Sequence, residues 1–478
     1  STLRLGTLMA RLIVVSNRTP KPGKTAAGGL VAALEGVLRR TGGLWAGWSG
    51  EFSDSPRVND PIEVNGITVI GLDLTEADHA AYYAGYSNSV LWPAFHSRPD
   101  LARFDPEFYQ GYQRVNEQFA DALAPMIRPD DLVWVHDYHL IPLGDLLRRR
   151  GVRNRIGFFL HIPFPTPEAL AAIPHHRLLI GSFNAYDLVG LQANRDVAAL
   201  EDFASPEEFV RPRLSSGPMV PITGVKAKVF PIGSDPDAFA AFADLPATRK
   251  SMRMLRNSLA GRRLILGVDR LDYTKGLPQR IEAFERLLET HPEYRRRVMF
   301  LQVAPPSREM IAQYQEISDQ LDSACGRVLG RFAELDWQPL NYVKRAYRQS
   351  TLAGLYREAC VGLVTPLRDG MNLVAHEYVA SQDPENPGML VLSIFAGAAE
   401  IFPDALLVNP YDANETARAI HSALAMPLDE RRDRWRRLRS AVERHNVNAW
   451  ANHFLTELAG SPPEDNAAAE DAAPARTR

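Results

Sequence analysis

Cysteine is nearly absent from this chain: only Cys325 and Cys360 occur in 478 residues. Two thiols exclude a disulfide framework and a cysteine-built zinc site, and they suit a reducing compartment. An excess of one charge is also missing. Lys and Arg total 54 against 57 Asp and Glu, a formal net charge of -3, so nothing global draws nucleic acid or acidic membranes as partners. The arginine-rich run from Arg431 to Arg439 is broken by Asp433 and preceded by Asp429 and Glu430, and reads as a solvated helix face. No apolar run approaches the ~20 residues of a membrane span. The first eight residues lack the apolar core of a signal peptide. Residues 1–10 read as an extension around a natural start at Met9, and the expected location is the cytoplasm.

The common nucleotide and metal signatures are lacking too. Gly23-Lys24-Thr25 resembles the tail of a P-loop, but the glycine that should open it falls on Arg18, and no G-x-G-x-x-G occurs. Asp235-Pro236-Asp237 spells a metal-binding D-x-D, yet a helix cap with proline at the first helical position explains it without an ion. His136 and His139 lie on a strand-end loop without the i, i+4 spacing of a helical metal pair. No metal and no cofactor is expected.

What the chain does have is a repeated pattern of short apolar strands with polar ends. Leu12–Ser16 delivers Asn17 and Arg18, Leu132–Val135 ends in His136-Asp137-Tyr138-His139, and Ile156–Leu160 ends in His161. Asp187–Leu191 and Lys228–Pro231 continue the series. After a link at 235–250 it resumes with Leu264–Val268, Val298–Val303, Val361–Thr365, Met389–Ser393 and Leu406–Val408. Helical stretches lie between. The fold class is α/β, two doubly wound Rossmann-like domains facing across a cleft, with ligands beyond the strands' carboxyl ends. The expected limits are 11–240 and 241–445, a closing helix at 446–459, and a disordered tail at 460–478.

The stretch at 361–377, VGLVTPLRDGMNLVAHE, carries the most chemistry. A buried strand, a glycine turn and a helix start leave backbone N–H groups at Gly370, Met371, Asn372 and Leu373 to meet a phosphate. Asp369 and Glu377 would repel a phosphate, so they suit sugar hydroxyls, and together these features suggest a sugar nucleotide. Gly28-Gly29 opens another helix and is a second close-approach site. The aromatic-rich segment 44–110 reads first as core, but Tyr83 and Trp92 remain candidates for sugar or phosphate contact. The cleft would gather Arg18, Gly28, Tyr83, Trp92, Asp137 and His161 from the first half. The second half would supply Arg270, Lys275, Arg308, Asp369 and Glu377. Arg270 and Lys275 share one glycine-ended loop and suit a departing diphosphate.

In order, the chain presents S-N-R at 16–18, G-G at 28–29, Y-S-N-S-V-L-W-P-A-F-H at 86–96, H-D-Y-H at 136–139 and H-I-P-F-P at 161–165. R-L-D-Y-T-K-G at 270–276, P-S-R at 306–308, L-R-D-G-M-N-L-V-A at 367–375 and F-A-G-A-A at 395–399 follow. Over roughly 11–455 this ordered set resembles the trehalose-6-phosphate synthase family, retaining glycosyltransferases of the GT-B class. The resemblance implies glucose transfer from UDP-glucose, or another nucleoside-diphosphate glucose, to glucose 6-phosphate. It implies Arg270 and Lys275 on the donor diphosphate with the backbone at Asn372 and Leu373, Glu377 on the ribose and Asp369 on the donor glucose. His161 would sit near the donor sugar, and Gly28-Gly29 would belong to a loop that orders on donor binding. Arg18, Tyr83, Trp92 and Arg308 would grip the acceptor phosphate, with Asp137 on the acceptor's hydroxyls. A homo-oligomer, dimer or tetramer, is implied on the same ground. Departures are a short loop between Arg18 and Gly28, His376 where lysine is common, and Glu400-Ile401-Phe402 after F-A-G-A-A. Alternatives are a sister transferase with another phosphorylated acceptor, a silent sugar-phosphate sensor, and a phosphorylase-like enzyme with lysine-bound pyridoxal phosphate.

Overall fold

A computed structural model describes residues 10–20, 34–39, 42–204, 224–307 and 312–460. Gly28, Gly29, Arg308, most of the N-terminal extension and the tail beyond Gly460 lie outside the described residues. Among the described residues no helix is long and apolar enough to cross a membrane.

The first half builds one sheet. Its strands are β1 (Leu12–Arg18), β2 (Leu44–Phe52), β3 (Arg57–Val58), β4 (Ile62–Val64), β5 (Ile67–Leu74), β6 (Leu132–His136), β7 (Ile156–Phe159), β8 (Leu188–Leu191) and β9 (Ala227–Val229). They run in the order β3-β5-β2-β1-β6-β7-β8-β9, with β4 also on β5. All pairs are parallel except β3 and β4 on β5. The second half builds a sheet from β10 (Arg263–Val268), β11 (Val298–Val303), β12 (Leu340–Val343), β13 (Ala359–Val364), β14 (Met389–Ser393) and β15 (Leu406–Val408). Its order is β12-β11-β10-β13-β14-β15, parallel throughout. Leu12–Val15 and Leu132–His136 are buried along their whole length, as strands covered by helices on both faces must be.

Strand order reverses between β1 and β6 and again between β10 and β13, which opens a crevice at each pair of carboxyl ends. Arg18 and Asp137 stand at the first crevice. Arg270 and Asp369 follow the strands of the second. The expected doubly wound architecture is therefore the observed one. Three elements within or beside the expected aromatic core differ from the sequence reading. Leu44–Phe52 and Ile67–Leu74 are strands, and Ala80–Leu91 is a π-helix that buries Tyr82 and Tyr86 while leaving Tyr83 half-buried.

The expected link at 235–250 is helical. Asp235 accepts the Ala238 N–H at 3.0 Å and caps helix Pro236–Asp244, as the proline predicted. That helix packs on helix Gln349–Glu358 of the second half, so the expected limit at 240 falls inside one element. Helix Val447–Ala459 returns to the first sheet, where Phe454 stacks on Trp134 at 4.6 Å. Gly157 and Gly190 leave it room: a Cβ at either would lie 2.8 Å from the Phe454 ring. The two passages between halves touch. Val447 donates to the Ser234 carbonyl at 3.1 Å, and any side chain at Gly233 would run into the His445 carbonyl.

Candidate active site

The loop after β10 is built around Asp272, which is fully buried. It accepts the Thr274 N–H at 3.0 Å, the Thr274 hydroxyl at 2.9 Å and the Tyr314 hydroxyl at 3.2 Å. This network directs the two cations on either side of it. Arg270 lies 3.3 Å from Asp272 and 4.8 Å above the indole of Trp92. Lys275 precedes Gly276, whose φ of 64° needs no side chain. Its ammonium hydrogen-bonds to Asp369 and stands 3.9 Å from Asp269. Beneath them Arg280, 1 % exposed, donates to Asp269 at 2.8 Å, Thr365 at 3.1 Å and Gln302 at 3.2 Å. With the Lys275 carbonyl at 3.4 Å as a fourth acceptor, this buried guanidinium is satisfied structurally.

After β13 the chain turns through Asp369 and Gly370 into helix Leu373–Ser381. Asn372, at φ 83°, donates its amide to Asp369 at 3.0 Å. No side chain among the described residues caps the helix, so its first N–H groups face the cleft with the positive end of the helix dipole. Gly370 is pressed against the His161 carbonyl of the other half. Burial pushes the Asp369 carboxyl up, but the Lys275 charge and hydrogen bond prevail, with His96 and Asn372 adding to them, and hold it below the usual carboxylate range. Glu377 behaves differently. Burial pushes it up to about 7; the Tyr356 hydroxyl, 3.1 Å away, pulls against the rise, and Asp269 adds to it.

On the facing sheet Arg18 lies 4.9 Å over Trp48. Tyr83 is stacked between His79 at 5.1 Å and His139 at 5.8 Å. Asp137, at φ 76°, accepts the His161 N–H at 3.2 Å. The His161 ring meets the His136 ring at 3.1 Å between nitrogens, and burial pushes His161 down to about 3. His136 and His139 are thus partners of His161 and Tyr83.

Two adjoining cavities of about 480 and 470 Å³ occupy the cleft. Both are lined by Asp137, His161, Lys275, Asp369 and Glu377. The first adds Arg18 and the helix start at Met371, Asn372 and Leu373; the second adds Arg270 and Trp92. The expected site residues from the two sheets therefore converge, with three qualifications. Tyr83 lines neither cavity and backs His139. Trp92 lies with Arg270 and not with Arg18. Gly28, Gly29 and Arg308 lie outside the described residues. Asp269, Gln192 and Tyr356 line the cleft but were not expected there. The first two follow strand ends, the signal that located Asp137; Tyr356 comes from a helix and carried none.

The halves are also fastened beside the cleft. Glu400 accepts the Asn194 N–H at 2.8 Å and the Asn194 amide at 2.9 Å, at the start of helix Asn194–Ala204. Arg195 donates to the Ile394 carbonyl at 2.8 Å. Arg368 lies 3.8 Å from Asp196.

The chain matches the family model described as Glycosyltransferase family 20 over residues 7–460. It is 46% identical over 458 residues to a trehalose-6-phosphate synthase of Enterobacter sp. (strain 638), covering 95% of this chain and 96% of the relative. A crystal structure of a UDP-forming alpha,alpha-trehalose-phosphate synthase from Burkholderia vietnamiensis superposes with a TM-score of 0.90 at 47% identity. That match covers 95% of this chain and 99% of the other. The Burkholderia xenovorans enzyme in complex with glucose-6-phosphate gives 0.87 at 46% identity, covering 94% and 100%. With its two facing doubly wound sheets, this chain belongs to glycosyltransferase family 20.

Proposed function

We propose that this chain transfers glucose from UDP-glucose to glucose 6-phosphate, giving alpha,alpha-trehalose 6-phosphate and UDP. The observation that carries the reading is the convergence of Arg270, Lys275 and an open helix start on one wall with Arg18 and Asp137 on the other. Positive groups and free N–H donors suit a diphosphate. Arg270 and Lys275 hold that diphosphate, helped by the backbone from Gly370 to Leu373. Glu377 takes the ribose hydroxyls, and Asp369 takes those of the donor glucose, with His161 beside it. Arg18 holds the acceptor phosphate, the family resemblance alone adds Tyr83, Trp92 and Arg308 to that grip, and Asp137 holds the acceptor's hydroxyls. The Gly28-Gly29 loop closes on the donor. Residues 11–240 carry the acceptor and 241–445 the nucleotide sugar.

In the reaction the bond from the anomeric carbon to the diphosphate breaks through an oxocarbenium-like state. The acceptor's anomeric oxygen attacks the same face, and its proton passes to the departing phosphate oxygen. Configuration is retained. Arg270 and Lys275 stabilise the charge that gathers on the leaving group, which is worth most in the transition state. Asp369 is held ionised by Lys275, so it accepts hydrogen bonds. With both charges supplied by side chains, the transfer proceeds without a metal. The family resemblance supports a dimer or tetramer, and a cytoplasmic location suits an enzyme that draws on nucleotide sugars.

The test is a coupled assay of nucleotide release with glucose 6-phosphate and a panel of nucleoside-diphosphate glucoses, in the presence and absence of EDTA. Release that needs glucose 6-phosphate, prefers UDP-glucose and survives EDTA is expected. Faster turnover with another phosphorylated acceptor would replace this reading with that of a sister transferase.

A further inference from the structure

Glu377 is a carboxylate that the cleft supplies with few donors. Around it stand Asp269 and Lys275 from the loop after β10, Asp369 from the turn after β13, and Asp137 and His161 across the cleft. Lys275 hydrogen-bonds to Asp369 and not to Glu377, and no ion pair reaches Glu377 among the described residues. One side chain does bond to it. Tyr356, 1 % exposed, donates its hydroxyl to Glu377 Oε2 at 3.1 Å.

Tyr356 is itself locked. Its ring lies between Phe239 at 6.5 Å and Tyr378 at 6.4 Å. Its carbonyl accepts the Gln382 amide at 2.6 Å, and Gln382 Oε1 accepts the Gly388 N–H at 2.7 Å. Helix Gln349–Glu358 is thereby clipped to the far end of helix Leu373–Ser381, which carries Glu377. The phenol therefore sits at a set height behind the carboxylate and occupies one of its oxygens. The other oxygen is left to the cleft.

We infer that Tyr356 is a positioning residue for nucleotide binding: its hydroxyl holds one oxygen of Glu377 and orients the carboxylate that receives a ribose diol. The inference rests on the donor-site reading above and adds a residue to it. Removing the hydroxyl leaves the ring and its packing in place but frees the carboxylate to rotate. It also removes the one contact that opposes the effect of burial on Glu377.

Tyr356→Phe and Glu377→Gln are compared with the unaltered full chain, using UDP as probe in isothermal titration calorimetry between pH 5.5 and 8.5, together with steady-state kinetics. For Tyr356→Phe the Kd for UDP rises about three- to tenfold at neutral pH, in line with loss of one hydrogen bond to a charged group. The pH below which UDP binding weakens moves upward, because the carboxyl is then protonated more readily. KM for UDP-glucose rises, while kcat and KM for glucose 6-phosphate stay within about twofold. Glu377→Gln flattens the pH dependence, and adding Tyr356→Phe to it costs nothing further. An unchanged UDP affinity and pH midpoint in Tyr356→Phe overturns the inference alone. So does an equal loss in kcat and both KM values at an unaltered midpoint, which marks a merely structural role. Failure of the unaltered chain to bind UDP overturns the donor-site reading and the inference with it.

Discussion

The carbonyl oxygen of His161 occupies the space where a side chain on Gly370 would begin. Two loops from different sheets meet there backbone to backbone, one carrying His161 and the other leading into helix Leu373–Ser381. The separation of the two walls is thus set where no side chain intervenes. Gly370→Ala forces these loops apart. A displacement of about 1 Å at reacting groups costs on the order of 10²-fold, and kcat/KM for UDP-glucose should fall by that factor while circular dichroism still reports a folded chain. Near-normal kinetics would mean that the contact does not set the cleft.

Arg270→Ala and Lys275→Ala are each expected to lower kcat by ~10²–10³-fold, the usual effect of losing one preorganised donor to developing charge. The two differ in a second respect. Lys275→Ala strands Asp369 as a buried carboxylate without its cation, so it should also lower thermal stability. Arg270→Ala also removes the cation beside buried Asp272, but that carboxylate keeps the Thr274 N–H, the Thr274 hydroxyl and the Tyr314 hydroxyl, so its loss of stability should be the smaller of the two. Rates within tenfold of the unaltered chain in both variants would dispose of the leaving-group role.

Glu400 acts as a helix cap supplied from the opposite sheet. Its carboxylate meets the positive end of helix Asn194–Ala204, and removing a capping side chain costs about 1 kcal/mol. Glu400→Ala should lower the free energy of unfolding by that amount, read from denaturant titrations, with Glu400→Gln losing less. Equal stability of all three chains would show that the fastening is idle.

Acid should destabilise the chain through its neutral imidazoles. Burial pushes His376 down to about 3, with His445 adding to the effect, and pushes His161 down to about 3. Burial also pushes His96 down to about 4, against Asp272 and Asp369. Such groups bind fewer protons folded than unfolded, so their contribution is present above the ordinary histidine value near 6.5 and is lost as pH falls below it. Each costs about 1.4 kcal/mol per pH unit over that window. Glu377, pushed up to about 7, acts with the opposite sign and costs stability as pH rises from the ordinary carboxyl range to 7. His376 is fully buried and neither ring nitrogen has a partner among the described residues. His376→Leu should therefore be about 2 kcal/mol better off at pH 5, relative to the unaltered chain, than it is at pH 7. Denaturant midpoints at the two pH values that shift in parallel would contradict this.

The sequence made strand ends legible because parallel strands buried on both faces read as short apolar runs, and the first polar residue after each run is where a crevice forms. Arg18, Asp137, His161, Arg270 and Asp369 were all reached that way. Leu44–Phe52 was not, since its glycines and two tryptophans conceal the strand pattern until β1 and β5 pair on either side. The π-helix at Ala80–Leu91 left no local signal either. Side-chain partnerships across the cleft were further out of reach. Arg270 stacks on Trp92, and Glu400 caps a helix some 206 residues earlier. Neither spacing has any imprint on local periodicity. Tyr356 escaped for the same reason: inside an amphipathic helix, a tyrosine that touches a site looks like one that fills a core.

The two crossings between sheets lie side by side, joined by the hydrogen bond from Val447 to Ser234 and the close fit of Gly233 to His445. A polypeptide connected once can swivel; a doubled connection resists torsion and yields mainly by flexing about a single line. The halves are therefore bound like a book along its spine, and a protease that severs one crossing leaves the covers still held by the other.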